Sequence, residues 1–482
     1  MSAPLDLDRV RIDPAPALAI PAGFALKRKL LPFAEVNGVV HVACLVDIDR
    51  SGLETLRRRL GRPCRAERAE PRSLQRALER VYGDRSGEAR RAAGEDGQAA
   101  HATCDALLRA AVLRGASDIH IDPAQDDTRV RFRVDGRLED YTRLSHSATG
   151  TLISRLKVLS GMDIAEKRAP QDGRFQQDMR EGRLELRVAT LPTVLGERMT
   201  LRLLAIQSKP LTLGKLGLSD EDLARFDDAL KTSHGMILVT GPTGSGKSTT
   251  LYAAIRRLLE GEPRNIITVE DPVELRIPGV AQVEVDSSEK VSFGKALRSI
   301  LRHDPDVIMI GEIRDRETAD LAVQAALTGH LMFSTLHTNS AVGAVTRLHD
   351  MGVDRYLTAA TLRLVVAQRL VRRLCPHCRE ACELDAVTAR LLGRPTLEGA
   401  RNHRAVGCRY CAGRGFSGRL GLFELLPLDR EWSARISAGA GESELAAERD
   451  QRGLATLLDD AIGKLASGAT ACTELLSTVH SG

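Results

Sequence analysis

One stretch constrains this chain more than any other: MILVTGPTGSGKSTTLYAAI, from Met236 to Ile255. It opens as an apolar run of strand length, passes through a glycine-rich turn and continues as a good helix former. Gly241 to Ser248 fits the pattern G-x4-G-K-[ST]. In that pattern the glycines let backbone N–H groups converge on phosphates, and the helix N-terminus adds positive potential. The cradle comprises Gly241, Pro242, Thr243, Gly244, Ser245, Gly246, Lys247, Ser248 and Thr249. Lys247 is placed to reach the β- and γ-phosphates of ATP, and Ser248 to bind Mg²⁺. A ligand-free turn is the bland alternative, and the strand before and helix after the loop argue against it. From Met236 onward strands and helices alternate, which predicts an α/β domain with a mostly parallel sheet.

Two acidic segments close later apolar runs. NIITVEDPVE (Asn265 to Glu274) ends a strand at Glu270 and Asp271, and DVIMIGEIRD (Asp306 to Asp315) ends another at Glu312. Ligands of parallel sheets sit beyond the carboxyl ends of the strands, so these acids are expected to meet the loop. Gly311 stands where many P-loop proteins hold Mg²⁺ with an aspartate, which leaves Glu312 to hold the metal through water. Glu270 is then the expected water-activating base. ALTGHLMFSTLHTNSA (Ala326 to Ala341) carries two histidines. His337, at the end of an apolar run, is the expected hydrogen-bond donor to the γ-phosphate, and His330, beside Gly329, reads as a turn residue.

Five of the nine cysteines fall between Cys375 and Cys411. Cys375, Cys378, Cys408 and Cys411 form C-x2-C-x29-C-x2-C, two knuckles whose four thiolates suit a tetrahedral, structural Zn²⁺. Cys382 and His377 are spare. No stretch approaches the ~18 apolar residues of a membrane span, and the N-terminus lacks an apolar signal core. The expectation is a cytoplasmic protein that reaches membranes through partners. Aromatic residues make up 3% of the chain and the net charge is +5, too little stacking and too weak a basic balance to expect nucleic-acid binding.

Length suggests about three domains at ~150 residues each. Residues 1–85 read as a small α/β unit, with a strand in GVVHVACLV and a helix in SLQRALERVYG. The polar, Gly/Ala-rich residues 86–101 read as a linker. Residues 102–208 carry strand pairs, one turning at Asp135-Gly136. Residues 209–482 hold the nucleotide loop and, at 372–425, the cysteine subdomain.

Taken together, the loop, TVEDPVE, GEIRD, TGHLMFSTLHTNSA and the four cysteines resemble the secretion ATPases that assemble type II secretion pseudopili and type IV pili. ASDIHIDP, VRFRVDG, APQDGR, LRVATLPTVLGER and CAGRGFSGRLGLFEL extend the likeness over about residues 102 to 482. Residues 1–85 are similar to that family's N-terminal docking domain. The arginine/leucine/glycine motifs through which some relatives hold cyclic di-GMP there are not paired in this chain.

The resemblance implies a RecA-like P-loop domain, a preceding PAS-like α/β domain, the docking domain and the zinc subdomain. It implies a homo-hexamer that hydrolyses ATP to drive pseudopilus assembly at an inner-membrane platform, with pilus extension or DNA translocation on the same scaffold as alternatives. By motif position, Arg187 and Arg202 neutralise the transferring phosphate, and Arg298 and Arg302 act at a subunit interface. The tetracysteine favours assembly over retraction, and the single short N-terminal unit favours type II secretion.

Overall fold

Turn chemistry and period-two alternation organise the first of two units in this computed structural model. The described residues are 4–45, 50–83, 96–179, 182–204, 211–285 and 292–479. Asp135 and Gly136 take φ of 50° and 87°, the left-handed values of a two-residue hairpin turn. They join β5 (Thr128–Val134) to β6 (Arg137–Leu144). With β4 (Ala116–Pro123), β7 (Gln171–Met179), β8 (Gly182–Thr193) and β9 (Gly196–Leu204), these form a six-stranded antiparallel sheet of order β6-β5-β4-β9-β8-β7. Ile119, Ile121, Phe132, Leu186, Val188 and Leu201 project from one face onto the helices Asp96–Arg114 and His146–Ser160, which bring Leu107, Leu108, Leu152 and Leu156.

Residues before this sheet form a smaller α/β layer of β1 (Leu30–Val36), β2 (Val39–Cys44) and β3 (Cys64–Arg68). The helix Pro71–Tyr82 packs Leu74, Ala77, Leu78 and Val81 against it, the spacing read from the sequence. Glu70 caps that helix by accepting from Arg72 and Ser73 N–H. Most of the linker expected at 86–101 lies outside the described residues, but from Asp96 the chain is already helical. The run AAHATCDALLRAAVL offers no breaker, so the helix continues without one.

The cysteine segments depart from the sequence-based division. Leu374–Glu380 and Arg404–Gly418 pack with residues 1–208, whereas Lys209–Arg373, Ala381–His403 and Arg419–Gly482 form the second unit. The cause is apolar contact, because Tyr410 and Ala412 pack on the core of the N-terminal layer.

The second unit is built on seven strands: β10 (Gly235–Thr240), β11 (Ile266–Glu270), β12 (Ala281–Glu284), β13 (Val307–Ile310), β14 (Leu331–Leu336), β15 (Leu362–Leu374) and β18 (Phe416–Pro427). Their order is β12-β11-β13-β14-β10-β15-β18, and every pairing from β12 to β15 is parallel. β10 shows why its run is apolar throughout. Met236 and Leu238 enter the core on one face, and Ile237 and Val239 enter the core on the other. A small pair, β16 (Glu380–Glu383) and β17 (Arg401–Arg404), lies between β15 and β18 in sequence. Among the described residues no helix is long and apolar enough to cross a membrane.

A buried ion pair tests the first unit. Lys157 is 1% exposed, donates to the Glu166 carbonyl at 2.6 Å and pairs with Glu197 at 2.7 Å. Lys157→Ala leaves a buried carboxylate without its cation, so the six-stranded domain should lose about 3–5 kcal/mol, read from the urea transition of that unit.

Candidate nucleotide site and metal centre

The loop after β10 is held by close backbone approach. Gly241 has φ of 146°, and a Cβ there would meet the Gln368 carbonyl oxygen at 2.3 Å and Ser245 Oγ at 2.7 Å. A Cβ on Gly246 would meet the Gln368 side chain at 2.9 Å. Gln368 lies on β15 and accepts from Thr250 Oγ1 at 2.7 Å, so this one residue packs the loop's first and last glycines. The helix Lys247–Leu259 starts directly after Gly246 and has no side-chain cap, which leaves its first N–H groups for an anion. Ser245 Oγ is buried without a hydrogen-bond partner. Lys247 Nζ donates across the loop to the Gly241 and Pro242 carbonyls at 2.7 and 3.2 Å. These donors fit a nucleotide's phosphates, and Ser248 opens the helix where Mg²⁺ would be held.

Strand order brings the other motifs to this end of the sheet. β14 lies between β10 and β13, and its last residue leads into His337. Thr240 and Thr338 tie β10 to the chain after β14, with hydroxyl oxygens 2.7 Å apart and Thr338 N–H donating at 2.8 Å. Glu312, following β13, meets His337 Nε2 at 3.1 Å and pairs with Arg314, which also reaches Asp271 at 3.6 Å. Burial pushes the Lys247 ammonium below its usual range, and the charges of Glu312 and Glu274 push it back up.

Glu270, the expected water-activating base, is the last residue of β11. It is 3% exposed. Thr268 Oγ1 at 2.6 Å and Gln282 Nε2 at 2.9 Å donate to one carboxylate oxygen, and the Tyr252 hydroxyl donates to the other. Burial, and next the Glu270 charge, raise the Tyr252 phenol far above its ordinary range, so it stays a donor. Its oxygen in turn accepts the Glu274 N–H at 3.2 Å. Tyr252 and Gln282 thus bind the loop helix and the edge strand β12 to the acidic segment.

The remaining candidates fall into place individually. His330 is a turn residue, its Nδ1 2.9 Å from the Ala325 carbonyl. Arg298 pairs with Glu317 at 3.0 Å, and Arg302 donates to the Arg298 carbonyl at 2.9 Å. In the first unit, Arg187 and Arg202 are direct partners across β8 and β9. They belong to one lateral row with Arg174, Asp118 and Arg133. Asp118 neutralises part of it, at 3.1 Å from Arg202 and 3.8 Å from Arg133. The solvent side of this sheet is therefore an arginine face.

The four cysteines converge. Their sulfurs all lie within 4.8 Å of one another. Cys375–Cys408, Cys378–Cys411 and Cys408–Cys411 are 3.9, 3.8 and 3.9 Å apart. A tetrahedron with Zn–S bonds of about 2.3 Å has edges of about 3.8 Å, so the donor set fits Zn²⁺. Cys411 Sγ also accepts N–H bonds from Cys408 at 3.2 Å and Gly415 at 3.1 Å. Cys382 stays outside this group, and His377 stacks on Tyr410 at 3.9 Å between ring centroids.

With this geometry in hand, the chain can be set beside known proteins. Residues 93–477 match the family described as "Type II/IV secretion system protein". The chain belongs to that family. Residues 2–88 match the MshEN domain. It is 46% identical to the type II secretion system ATPase E of Vibrio cholerae over 373 residues, 77% of this chain and 74% of that one. It is 40% identical to the type II secretion system protein E of Dickeya dadantii over 485 residues, 95% of this chain and 96% of that one. It is 44% identical to the type IV pilus assembly ATPase PilB of Thermus thermophilus, over 79% of this chain and 43% of that one. Among solved structures, the pilus retraction motor PilT with bound ADP superposes with a TM-score of 0.54 at 27% identity, covering 77% of this chain and 95% of that one. As a secretion ATPase with RecA-like neighbours, the chain is an ATP hydrolase.

Sequence reasoning missed Tyr252 and Gln368. The signal for Gln368 was a polar pair, Gln368-Arg369, inside the apolar run LVVAQRLV. Gly241→Ala places a Cβ against the Gln368 carbonyl at a strained φ. Nucleotide affinity should fall at least about tenfold, measured by titration with a fluorescent ATP analogue.

Proposed function

We propose that this secretion ATPase works as a homo-hexamer that hydrolyses ATP to drive pseudopilus assembly in a type II secretion system at the inner membrane, from the cytoplasmic side and through platform proteins. The observation that carries the reading is the convergence of Lys247, Glu312 and His337 at the strand ends of a parallel sheet, in a chain that also holds the four-cysteine cluster. Identity along nearly the full length of a type II secretion system protein E supports that system over the pilus. Likeness to PilB keeps pilus extension as the second reading.

The roles follow from position. Lys247 and the loop N–H groups bind the phosphates of ATP. Ser248 and Glu312 are the residues that would hold Mg²⁺, whose charge would offset that of the phosphates. We assign the water-activating role to Glu274, the exposed acid of the same motif, because Glu270 is buried and accepts three side-chain hydrogen bonds. Glu270 then positions the acidic segment through Tyr252. His337 orients Glu312 and is the candidate to report on the γ-phosphate. Arg187 and Arg202 supply the arginine face that neutralises the transferring phosphate, an effect worth about 10³-fold or more in other phosphoryl-transfer systems. Arg298 and Arg302 are assigned to a subunit interface. Zn²⁺ on Cys375, Cys378, Cys408 and Cys411 is structural, since no ligand position is left for water.

Turnover separates these roles. Lys247→Ala and Glu312→Ala should abolish phosphate release, and release at the native rate in both would sink the motor reading. Glu274→Gln should lower kcat by about 10²–10⁴-fold with nucleotide affinity retained. Glu270→Gln should instead lower the thermal midpoint of the second unit. A larger kcat loss in Glu270→Gln than in Glu274→Gln, with stability unchanged, would return the base to Glu270. Metal analysis should find about one Zn²⁺ per chain, lost in the quadruple cysteine variant. Co-purification with secretion rather than pilus platform proteins decides the system.

A further inference from the structure

The knuckle Cys408–Cys411 does more than close a metal site, because its outer surface is covered by the N-terminal domain. Tyr410 and Ala412 pack on that domain's core. Arg11 N–H donates to the Tyr410 carbonyl at 3.0 Å. Gly413 sits so close that a Cβ would lie 3.0 Å from the Glu35 carbonyl. Glu67 on β3 is 9% exposed and meets His41 Nδ1 at 2.6 Å, and its other oxygen pairs with Arg409 of the knuckle. A buried carboxylate is costly without such partners. The N-terminal domain therefore carries an acid suited to a cation that the cysteine turn brings. The turn's other flank is held too, since Arg414 pairs with Glu139 of the six-stranded domain at 3.1 Å.

This docking surface has little backbone structure of its own. Between Gly407 and Gly415 the one regular element is a single turn of 3-10 helix, Arg409–Cys411. Gly407, Ala412, Gly413 and Gly415 take φ of 104°, 53°, 76° and 74°. Left-handed residues in succession support no ladder. The turn is held by the backbone bonds from Gly413 N–H to the Cys408 carbonyl and from Cys375 N–H to the Gly415 carbonyl, both at 2.9 Å, and by the cysteine cluster, through the N–H bonds to Cys411 and the ligand set itself. Metal binding and local folding are then one equilibrium.

We propose that the cysteine knuckle is the docking post for the N-terminal domain, and that the metal decides whether residues 4–83 are held on it. The proposal rests on the zinc reading above and adds a consequence to it.

Hydrogen exchange on the full chain tests it, with metal content measured on the same samples. Native protein is compared with protein stripped by a chelator and with Tyr410→Ala. Expected are native metal content in Tyr410→Ala and exchange at least about tenfold faster over residues 30–44 and 64–69 in both altered samples. The helix Pro71–Tyr82 and strand Gly235–Thr240 should keep their protection, which separates undocking from unfolding. Full protection of residues 30–44 and 64–69 after metal removal would overturn the docking proposal alone. So would loosening in the stripped protein with none in Tyr410→Ala. Native protein free of metal would instead sink the zinc reading, and the metal gate with it.

Discussion

The nucleotide site depends on one close contact, the approach of Gly241 to the Gln368 carbonyl. That contact lets the loop turn back over the end of β15 and start the helix at Lys247. No side chain fits at Gly241, and little fits at Gly246. The two strands flanking β10 then supply the rest. β15 braces the loop through Gln368, and β14 delivers Thr338 to Thr240 and His337 to Glu312. Everything chemical at this end of the sheet is measured from a turn whose shape glycine alone permits.

Burial separates two acids of one motif. Glu270 and Glu274 are four residues apart in one motif, yet Glu270 is enclosed by Tyr252, Thr268 and Gln282 while Glu274 is exposed. A buried carboxylate whose oxygens are occupied supports its surroundings. The same distinction applies to Glu67, a buried acid whose partners include an arginine more than 300 residues away in sequence. In each case solvation, not residue type, separates scaffold from chemistry.

The metal centre shows how a local motif acquires a long-range duty. The chain enters the knuckles from β15 and leaves them into β18, neighbours in the nucleotide sheet. The knuckles themselves pack with the N-terminal residues. The converged sulfurs fit a Zn²⁺ ion, which would hold the knuckles without a hydrophobic core of their own.

By itself the sequence determined the parts that depend on neighbours along the chain. The cradle, the Asp135-Gly136 hairpin, the helix ending at Tyr82 and the two cysteine knuckles all follow from local spacing and backbone preference. Strand ends rich in acids were also legible, because parallel sheets place ligands there. Tertiary structure alone decided which acid is buried, that Gln368 rather than a nearer residue packs the loop, and which body the cysteines join. Each of those depends on contacts between residues far apart in sequence. Periodicity tells that a side chain is turned inward, but only the packed partner tells what it meets.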